Sequence, residues 1–193
     1  MHNIHPMAKR QATTRIIAGK FRGTKIPFRL NKSLRPTENK TKETLFNWLM
    51  NDLDQKLCLD MFAGTGSLGF EAISRGAVRV VFIENDRDRC RAIIDIAKKL
   101  NVQKSCNIFN ANSINFDYKI FEEKFDIIFL DPPFHGKLVK KSLDIIFEQN
   151  LLAEKGLIYI ESEIDLDVES LTIRMKKIGE SKGGETKFYL YES

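Results

Sequence analysis

Short apolar segments alternate with helix-like segments along the chain from residue 57 onwards. Each apolar segment is bounded by turn residues or by a polar stretch, which is typical of strands buried on both faces. Strands of this kind that are separated by helices form a mostly parallel sheet covered on both sides. The five predicted strands are LCLDMF (57–62), VRVVFIE (78–84), SCNIFN (105–110), FDIIFL (125–130) and LIYIES (157–162).

Helices are predicted in three of the four intervals between these strands. A glycine-rich turn leads into a helical stretch that runs to Arg75, and Asp86 opens a helix that ends near Asn101. After FDIIFL, apolar residues again recur at helical spacing until Gly156, which is predicted to break the chain before the next strand. The apolar face of this later helix consists of Val139, Leu143 and Ile146.

The N-terminal part of the chain has a different pattern. Residues 15–27 contain two short apolar stretches around glycines and predict a β-hairpin whose second strand ends at Pro27. The LRPT segment at 34–37 predicts a turn, and Thr37 is a suitable N-cap for a helix that extends to about Asn51. The apolar face of that helix consists of Leu45, Phe46 and Leu49.

The C-terminal end predicts a second hairpin. The segments LTIRMKKI (171–178) and KFYLYE (187–192) flank the Gly183–Gly184 turn and suggest antiparallel strands. We therefore divide the chain into a flexible basic tail (1–14), a hairpin and helix extension (15–52) and one larger α/β domain (53–193).

Composition and charge narrow the kinds of partner that this protein can have. Hydrophobic residues make up 42% of the 193 residues, yet no apolar run approaches the ~18 residues needed to span a membrane. We expect a soluble, cytoplasmic and monomeric protein without a secretory signal. Three separated cysteines and three histidines show no metal-ligand spacing, so no metal is expected. Eleven Lys or Arg but only one acid precede residue 43, which favours a polyanionic partner.

A glycine-rich loop after the first buried strand predicts a nucleotide-like cofactor. The sequence GTGSLG (64–69) has the G-x-G-x-x-G spacing, and Glu84 lies at the end of the next strand. Glycines let the backbone approach a ligand closely, and the Glu84 carboxylate can accept hydrogen bonds from both hydroxyls of a ribose. Both NAD and S-adenosylmethionine carry such a ribose.

Asp60 favours S-adenosylmethionine over NAD. A carboxylate this close to the glycine loop repels a pyrophosphate, but it attracts the ammonium and sulfonium groups of S-adenosylmethionine. Asp60 alternatively has a structural role and holds the loop. Asn110, after the third strand, can hydrogen-bond an adenine or can be an ordinary turn residue. The cofactor site is predicted to comprise Asp60, Phe62, Gly64, Gly66, Glu84, Asn110 and Ala111.

The tetrapeptide DPPF follows the fourth buried strand and predicts a site for an amino group. The two prolines stiffen the turn and donate no hydrogen bonds, so the turn presents acceptors only. The Asp131 carboxylate and the Pro132 carbonyl can together accept both hydrogens of one exocyclic amine. Phe134 provides a face on which an extruded base can stack. The predicted catalytic residues are Asp131, Pro132, Pro133 and Phe134.

These motifs together resemble the class I methyltransferases with a [D/N/S]-P-P-[Y/F/W] motif. The chain is most similar to the RsmD type of bacterial 16S ribosomal RNA guanine-N2-methyltransferase, from about Arg15 to Tyr191. The resemblance rests on RIIAGKFRG (15–23), LRPTENKTKETLFNWL (34–49), CLDMFAGTGSLGFEAISRGA (58–77), DPPF (131–134) and IYIESE (158–163).

This resemblance implies a fold, a donor and a substrate. The fold is a Rossmann-like, mostly parallel seven-stranded sheet with an antiparallel C-terminal strand, preceded by a small hairpin and helix. The donor is S-adenosylmethionine, and the target is guanine N2 in 16S rRNA or in the assembling small ribosomal subunit. The N-terminal extension is expected to contact RNA through Arg15, Arg22, Lys25 and Arg35.

Three other functions fit parts of the pattern. The DPPF motif alone does not distinguish guanine N2 from adenine N6, so an adenine-N6 methyltransferase acting on DNA or RNA is an alternative. A non-catalytic rRNA-binding assembly factor on the same scaffold is another, although Asp60, Glu84 and Asp131 are all present. An NAD-dependent oxidoreductase is the weakest alternative, because no acid or base for hydride chemistry accompanies the glycine motif.

Overall fold

The computed structural model of the protein describes residues 11–29, 39–50, 52–133 and 137–193. Within these ranges, a two-stranded hairpin precedes a seven-stranded sheet. The hairpin consists of β1 (Gln11–Arg15) and β2 (Lys25–Arg29). The strands of the large sheet are β3 (Leu57–Asp60), β4 (Arg79–Glu84), β5 (Cys106–Asn110), β6 (Phe125–Leu130), β7 (Leu152–Glu163), β8 (Lys176–Gly183) and β9 (Thr186–Glu192). The α-helices are α1 (Asn39–Trp48), α2 (Ser67–Ser74), α3 (Arg87–Lys99), α4 (Lys137–Glu148) and α5 (Val168–Leu171).

The order of strands in the large sheet is β5-β4-β3-β6-β7-β9-β8. The first five strands in this order pair in parallel, whereas β9 lies antiparallel to both of its neighbours. The chain moves outward from β3 to β5 and then returns to place β6 on the other side of β3. Ligands of such sheets bind where the winding direction reverses, here at the carboxyl ends of β3 and β6. The predicted seven-stranded, mostly parallel sheet is confirmed.

Helices bury both faces of this sheet, as the apolar strand segments require. In β4, Val80 and Phe82 belong to one hydrophobic core, while Val81 and Ile83 belong to the other. Helices α1, α2 and α3 contribute to the first core and α4 to the second. The predicted apolar faces of α1 and α4 are confirmed, because their residues are all buried: Leu45, Phe46, Leu49, Val139, Leu143 and Ile146.

The N-terminal hairpin is present, but its two strands extend beyond the predicted range of 15–27 at both ends. β1 begins at Gln11 rather than at residue 15, and Pro27 lies within β2 opposite Thr13 instead of ending the strand. A two-stranded ribbon has free edges, and a proline is tolerated where its missing N–H faces an edge. The predicted N-cap Thr37 lies outside the described residues, and α1 ends at Trp48 rather than near Asn51.

The C-terminal elements also differ in their bounds. The antiparallel hairpin forms, but its first strand, β8, begins at Lys176. The predicted 171–178 strand instead starts with Leu171, the last residue of the short helix α5. Gly156 does not break the chain, because it lies inside β7. Lys155 has a φ of 56°, and the pairing of β6 with β7 shifts register nearby, so the strand continues through an irregularity.

Gly69 allows α2 to pack directly on β4. A Cβ atom at this position would lie 2.2 Å from Cε1 of the Phe82 ring and 2.9 Å from a methyl group of Val80. We predict that Gly69→Ala lowers the free energy of unfolding by ~1–3 kcal/mol, because the added methyl overpacks this interface. Chemical denaturation measures the change.

Gly183→Ala is the control for this prediction. A Cβ at Gly183 would have its nearest neighbour, Thr41 Oγ1, at 3.2 Å, and the residue lies in a strand. We expect a change within about 1 kcal/mol, since alanine is generally no worse than glycine in a strand. Equal losses for the two variants would contradict the packing argument.

Candidate active site

Four polar side chains lie at the carboxyl ends of four neighbouring strands. Asn110 ends β5, Glu84 ends β4, Asp60 ends β3, and Asp131 directly follows β6. Neighbouring strands are about 4.8 Å apart, so these four positions span on the order of 15 Å along the edge of the sheet. We call these residues the carboxyl-edge cluster. The sequence predicted each of them, and the strand order brings them to one edge at the reversal point.

The glycine loop connects β3 to α2 and contacts the end of β4. Gly64 and Gly66 have φ angles of 54° and 75°, which lie in the left-handed region that favours glycine. The backbone N–H of Ala63 donates to the carbonyl of Ile83 at 3.0 Å, and that of Gly66 donates to the carbonyl of Ala63 at 2.6 Å. Gly66 is also the N-cap of α2. The loop therefore presents backbone to a ligand at the sheet edge.

Glu84 holds this loop through its carboxylate. Its Oε2 accepts a hydrogen bond from the Gly64 N–H at 2.7 Å, and its Oε1 accepts one from the Asp86 N–H at 2.8 Å. The Arg89 guanidinium lies 3.7 Å from Oε1. A carboxylate has about four lone-pair positions, so each oxygen keeps one that can accept from a ribose hydroxyl. Burial raises the pKa of Glu84, while the Asp86 N–H, Arg89 and the Gly64 N–H act against this shift.

Asp60 is buried beside the start of α2. The pKa of its carboxyl is raised to about 7, chiefly by burial; the Gly69 backbone N–H opposes this shift and the nearby Glu84 adds to it. Its Oδ2 has no hydrogen-bond partner among the described residues. The Gly69 interaction supports the structural role of Asp60. A buried acceptor without a partner is costly, so the second oxygen is suited to a ligand donor.

Asn110 reinforces the turn after β4. Its Nδ2 donates to the carbonyls of Glu84 and Asn85, both at 3.0 Å. This geometry leaves the Asn110 carbonyl oxygen as the atom that can accept from an adenine amino group. The neighbouring Ala111 N–H also donates to the Glu84 carbonyl at 3.0 Å. Ala111 and Phe62 are half-buried and pack against the second hydrophobic core, where they can line an apolar part of the site.

The DPP segment begins where β6 leaves the sheet. Asp131 is half-buried, Pro132 is buried and Pro133 is exposed. Asp131 lies near Tyr159, whose hydroxyl donates to Glu161 at 3.0 Å. Burial raises the pKa of Tyr159, and the charges of Glu161 and Asp131 raise it further. Phe134, the last residue of the predicted motif, lies outside the described residues.

The predicted RNA-binding residues lie on the hairpin rather than at the carboxyl edge. Arg15, Arg22 and Lys25 are exposed, and Arg15 pairs with Lys25 across β1 and β2. Their positive charges therefore face solvent on one small ribbon. Arg35 lies outside the described residues.

The sequence did not reveal a set of buried charges between the hairpin and the large domain. Lys42 and Glu71 are completely buried, and Arg75 binds the Glu71 carboxylate at 2.8 Å. A lone acid within the apolar helix sequence SLGFEAIS was the available signal, because such a residue is rarely buried without a partner.

Two further observations concern metals and membranes. The described residues contain no group of three or more His, Cys, Asp or Glu that could hold a metal ion. No helix in the same part of the chain is both long and apolar enough to cross a membrane.

The strand order, the reversal point and the carboxyl-edge cluster define a class I methyltransferase. A solved structure of an Escherichia coli protein described as a methyltransferase has a TM-score of 0.82 and 33% identity, over 94% of this chain and 98% of that one. A T. thermophilus 16S rRNA N2 G1207 methyltransferase, solved with AdoMet and guanosine, has a TM-score of 0.71 and 21% identity. The match covers 95% of this chain but only 50% of the T. thermophilus protein. At this level of identity, it shows similarity of fold alone.

Comparison with sequence relatives identifies the family. A family model described as Conserved hypothetical protein 95 matches residues 14–192. The chain is 43% identical to the Haemophilus influenzae ribosomal RNA small subunit methyltransferase D over 78% of this chain and 79% of the relative. It is 36% identical to the Escherichia coli protein of the same name over 92% and 89%. The chain belongs to the ribosomal RNA small subunit methyltransferase D family, which confirms the predicted resemblance.

The raised pKa of Asp60 generates a prediction about cofactor binding. The ionised carboxylate attracts a cationic ligand, and a pKa of about 7 means that the group is largely protonated near pH 6. We expect the affinity for S-adenosylmethionine to fall by about tenfold between about pH 8 and about pH 6, since binding is then linked to loss of one proton. Calorimetric titrations across this range measure the effect.

Asp60→Asn provides the control for this pH dependence. Ionisation of the ligand itself affects both proteins equally, so it cancels when the two pH profiles are compared. We expect weaker binding by the variant and a profile without the step near neutral pH. Identical profiles in the two proteins would mean that Asp60 serves only to hold the glycine loop.

Proposed function

We propose that this protein transfers the methyl group of S-adenosylmethionine to the exocyclic N2 of a guanine in 16S rRNA during assembly of the small ribosomal subunit. The observation that carries this proposal is that Asp131 and Pro132 directly follow β6, the strand that pairs with the Asp60 end of β3 at the reversal point. Acceptors for an amine thus lie next to a site suited to a cationic donor. Family membership supports an RNA of the small subunit as the substrate.

The chemical groups of the site fit S-adenosylmethionine. Each oxygen of Glu84 already binds one backbone N–H and keeps a position for a ribose hydroxyl. The Oδ2 of Asp60, which has no hydrogen-bond partner among the described residues, is suited to the ammonium of the methionine part. Asn110, Phe62 and Ala111 form the adenine side, and the backbone of Gly64 and Gly66 lies between. When bound, S-adenosylmethionine supplies a methyl group made electrophilic by its sulfonium charge.

The DPPF segment orients the nucleophile. The Asp131 carboxylate and the Pro132 carbonyl accept the two N–H bonds of the guanine amine, so that the nitrogen lone pair points at the methyl group. As the N–C bond formed, the C–S bond of the donor would break and its electron pair would remain on the sulfur. Positive charge would then grow on the nitrogen, where the negative charge of Asp131 would stabilise it. The surplus proton then leaves the nitrogen for Asp131 or water. Phe134 stacks on the extruded base, and Pro133 keeps the turn rigid.

The N-terminal extension supplies sequence-independent affinity for RNA. Arg15, Arg22 and Lys25 are exposed on the hairpin, and together with Arg35 they neutralise phosphates. Residues 15–52 thus act as the RNA-contacting part and residues 53–193 as the catalytic part, with the basic segment 1–14 preceding both. The protein acts as a cytoplasmic monomer on naked 16S rRNA or on an assembling particle.

We predict that Asp131→Asn reduces kcat by ~10²–10³-fold. The amide keeps the shape of the side chain, but it loses the negative charge, and its NH₂ group can face and repel the substrate amine. The affinity for S-adenosylmethionine should barely change, because Glu84 and the glycine loop are intact. Single-turnover methylation of 16S rRNA at saturating cofactor measures the rate, and calorimetry measures the affinity.

Asp144→Asn is the matched control, because it removes an exposed carboxylate from α4 without altering the carboxyl-edge cluster. Its rate should equal that of the wild type. An Asp131→Asn enzyme that also methylates at the wild-type rate would show that the amine is oriented by other groups and would refute the proposed role of DPPF.

A further inference from the structure

The loop between β1 and β2 is fastened to the second half of α2 by buried polar groups. The Glu71 carboxylate accepts the N–H groups of Ile17 and Ala18 at 2.6 and 3.0 Å. Ser74 Oγ accepts the Phe21 N–H at 2.9 Å and donates to the Ala18 carbonyl at 2.5 Å. Hydrogen bonds to a buried charge are stronger than neutral ones, so this is a specific attachment point.

Two cations complete this attachment. Arg75 Nε donates to Glu71 Oε1 at 2.8 Å, and its Nη1 donates to the Phe46 carbonyl of α1 at 3.4 Å. Lys42 Nζ, also on α1, donates to the Arg15 carbonyl at 2.5 Å. Burial lowers the pKa of Lys42, and the negative charge of Glu71 acts against this shift. We call Lys42, Glu71, Ser74 and Arg75 the docking cluster.

Helix α2 contacts the cofactor loop region at one end and the hairpin loop at the other. The N-terminal end of α2 continues the glycine loop, and its Gly69 N–H interacts with Asp60. Its second half carries Glu71 and Ser74, both almost completely buried under the hairpin loop. An eight-residue helix is a rigid connection between these groups. The orientation of the hairpin is therefore set relative to the cofactor loop through α2.

We infer that Glu71 and Ser74 are positioning residues for RNA recognition, which hold the basic hairpin in the orientation that presents RNA to the methyl donor. This inference rests on the proposed function, because it assumes that the hairpin contacts RNA. These residues touch neither RNA nor cofactor. They act through the backbone of residues 17–21, whose attachment fixes the positions of Arg15, Arg22 and Lys25.

Two glycines in the hairpin loop provide a matched pair of variants that leave the buried charges intact. Gly19 and Gly23 have similar φ angles of 77° and 85°, so alanine introduces similar backbone strain at both. A Cβ at Gly19 would lie 1.9 Å from the Ser74 carbonyl oxygen, whereas a Cβ at Gly23 would have no atom within 4 Å. Gly19→Ala therefore disturbs docking of the loop, and Gly23→Ala controls for local strain.

We expect Gly19→Ala to raise the KM for 16S rRNA about tenfold or more relative to Gly23→Ala, because small displacements of a positioning element have large effects on productive binding. The affinity for S-adenosylmethionine and the single-turnover rate at saturating RNA should be equal in the two variants. Equal KM values for RNA would overturn the inference. So would a Gly19→Ala variant whose cofactor affinity falls in parallel with its RNA affinity, since that result indicates general destabilisation.

Glu71→Gln tests the carboxylate itself. Removing a negative charge from an exposed site, as in Glu122→Gln, should leave RNA binding unchanged or slightly stronger. Glu71→Gln should weaken RNA binding, because one backbone N–H then faces an amide NH₂ group. If this variant does not fold, the Gly19→Ala and Gly23→Ala comparison decides. An increase in RNA affinity for folded Glu71→Gln would refute the inference.

A double-mutant cycle links the docking cluster to the basic residues. Arg22→Ala combined with Lys25→Ala should lower the affinity for RNA strongly in the wild-type background. The same pair should lower it much less in the Gly19→Ala background, because misplaced cations contribute little to binding. Equal costs in the two backgrounds would contradict the inference. If the wild type itself transferred no methyl group to 16S rRNA, the proposed function would fail, which is a different outcome from equal behaviour of the variants.

Discussion

The hydrogen bond between the Gly64 N–H and the Glu84 carboxylate is the contact on which the site depends. It joins the loop after β3 to the end of β4 at 2.7 Å, and the second oxygen of Glu84 fixes the start of α3 through Asp86. A carboxylate buried at a strand end is costly unless its oxygens are hydrogen-bonded. The backbone N–H groups offset this cost and hold the carboxylate in one orientation. The same two contacts leave one acceptor position on each oxygen.

The parallel sheet brings the other residues of the site close to this contact. Because the carboxyl ends of β5, β4, β3 and β6 share one edge, residues separated by many positions in the chain become neighbours. The buried Asp60 ends the strand between β4, which carries the proposed ribose acceptor Glu84, and β6, which leads to the proposed amine acceptor Asp131. In the proposed function, this arrangement brings a charge suited to the donor close to acceptors suited to the nucleophile. The docking cluster joins the N-terminal hairpin to the same site through α2.

The central strands and the carboxyl-edge cluster were predictable because each depends on local sequence. Buried parallel strands appear as continuous apolar runs, and the residues that follow them occupy the edge that binds ligands. The segment FDIIFL was predicted with the bounds that the structure shows, and Asp131 follows it directly. The match to the family model, over residues 14–192, includes all of these strands.

Other features depend on long-range contacts and were not predictable in this way. The sequence suggested a break at Gly156, but β7 continues past this residue because its pairing with β6 resumes at Leu157 after a register shift, where pairing with β9 also begins. The hairpin strands extend beyond the apolar residues that predicted them, because backbone pairing continues to Gln11 and Arg29. Lys42 looked like an ordinary helix residue, and Glu71 was marked only as a lone acid in an apolar helix. The fold is what shows that both are buried and bonded to the hairpin backbone.

The central claim is that the carboxyl-edge cluster directs a methyl group to the exocyclic amine of a guanine. The most direct measurement uses S-adenosylmethionine with a labelled methyl group and 16S rRNA, either naked or in small-subunit particles, followed by mass spectrometry of the released nucleosides. The account predicts that the label appears in N2-methylguanosine. Label in N6-methyladenosine, or no transfer to either substrate by a protein that binds the cofactor, would contradict it.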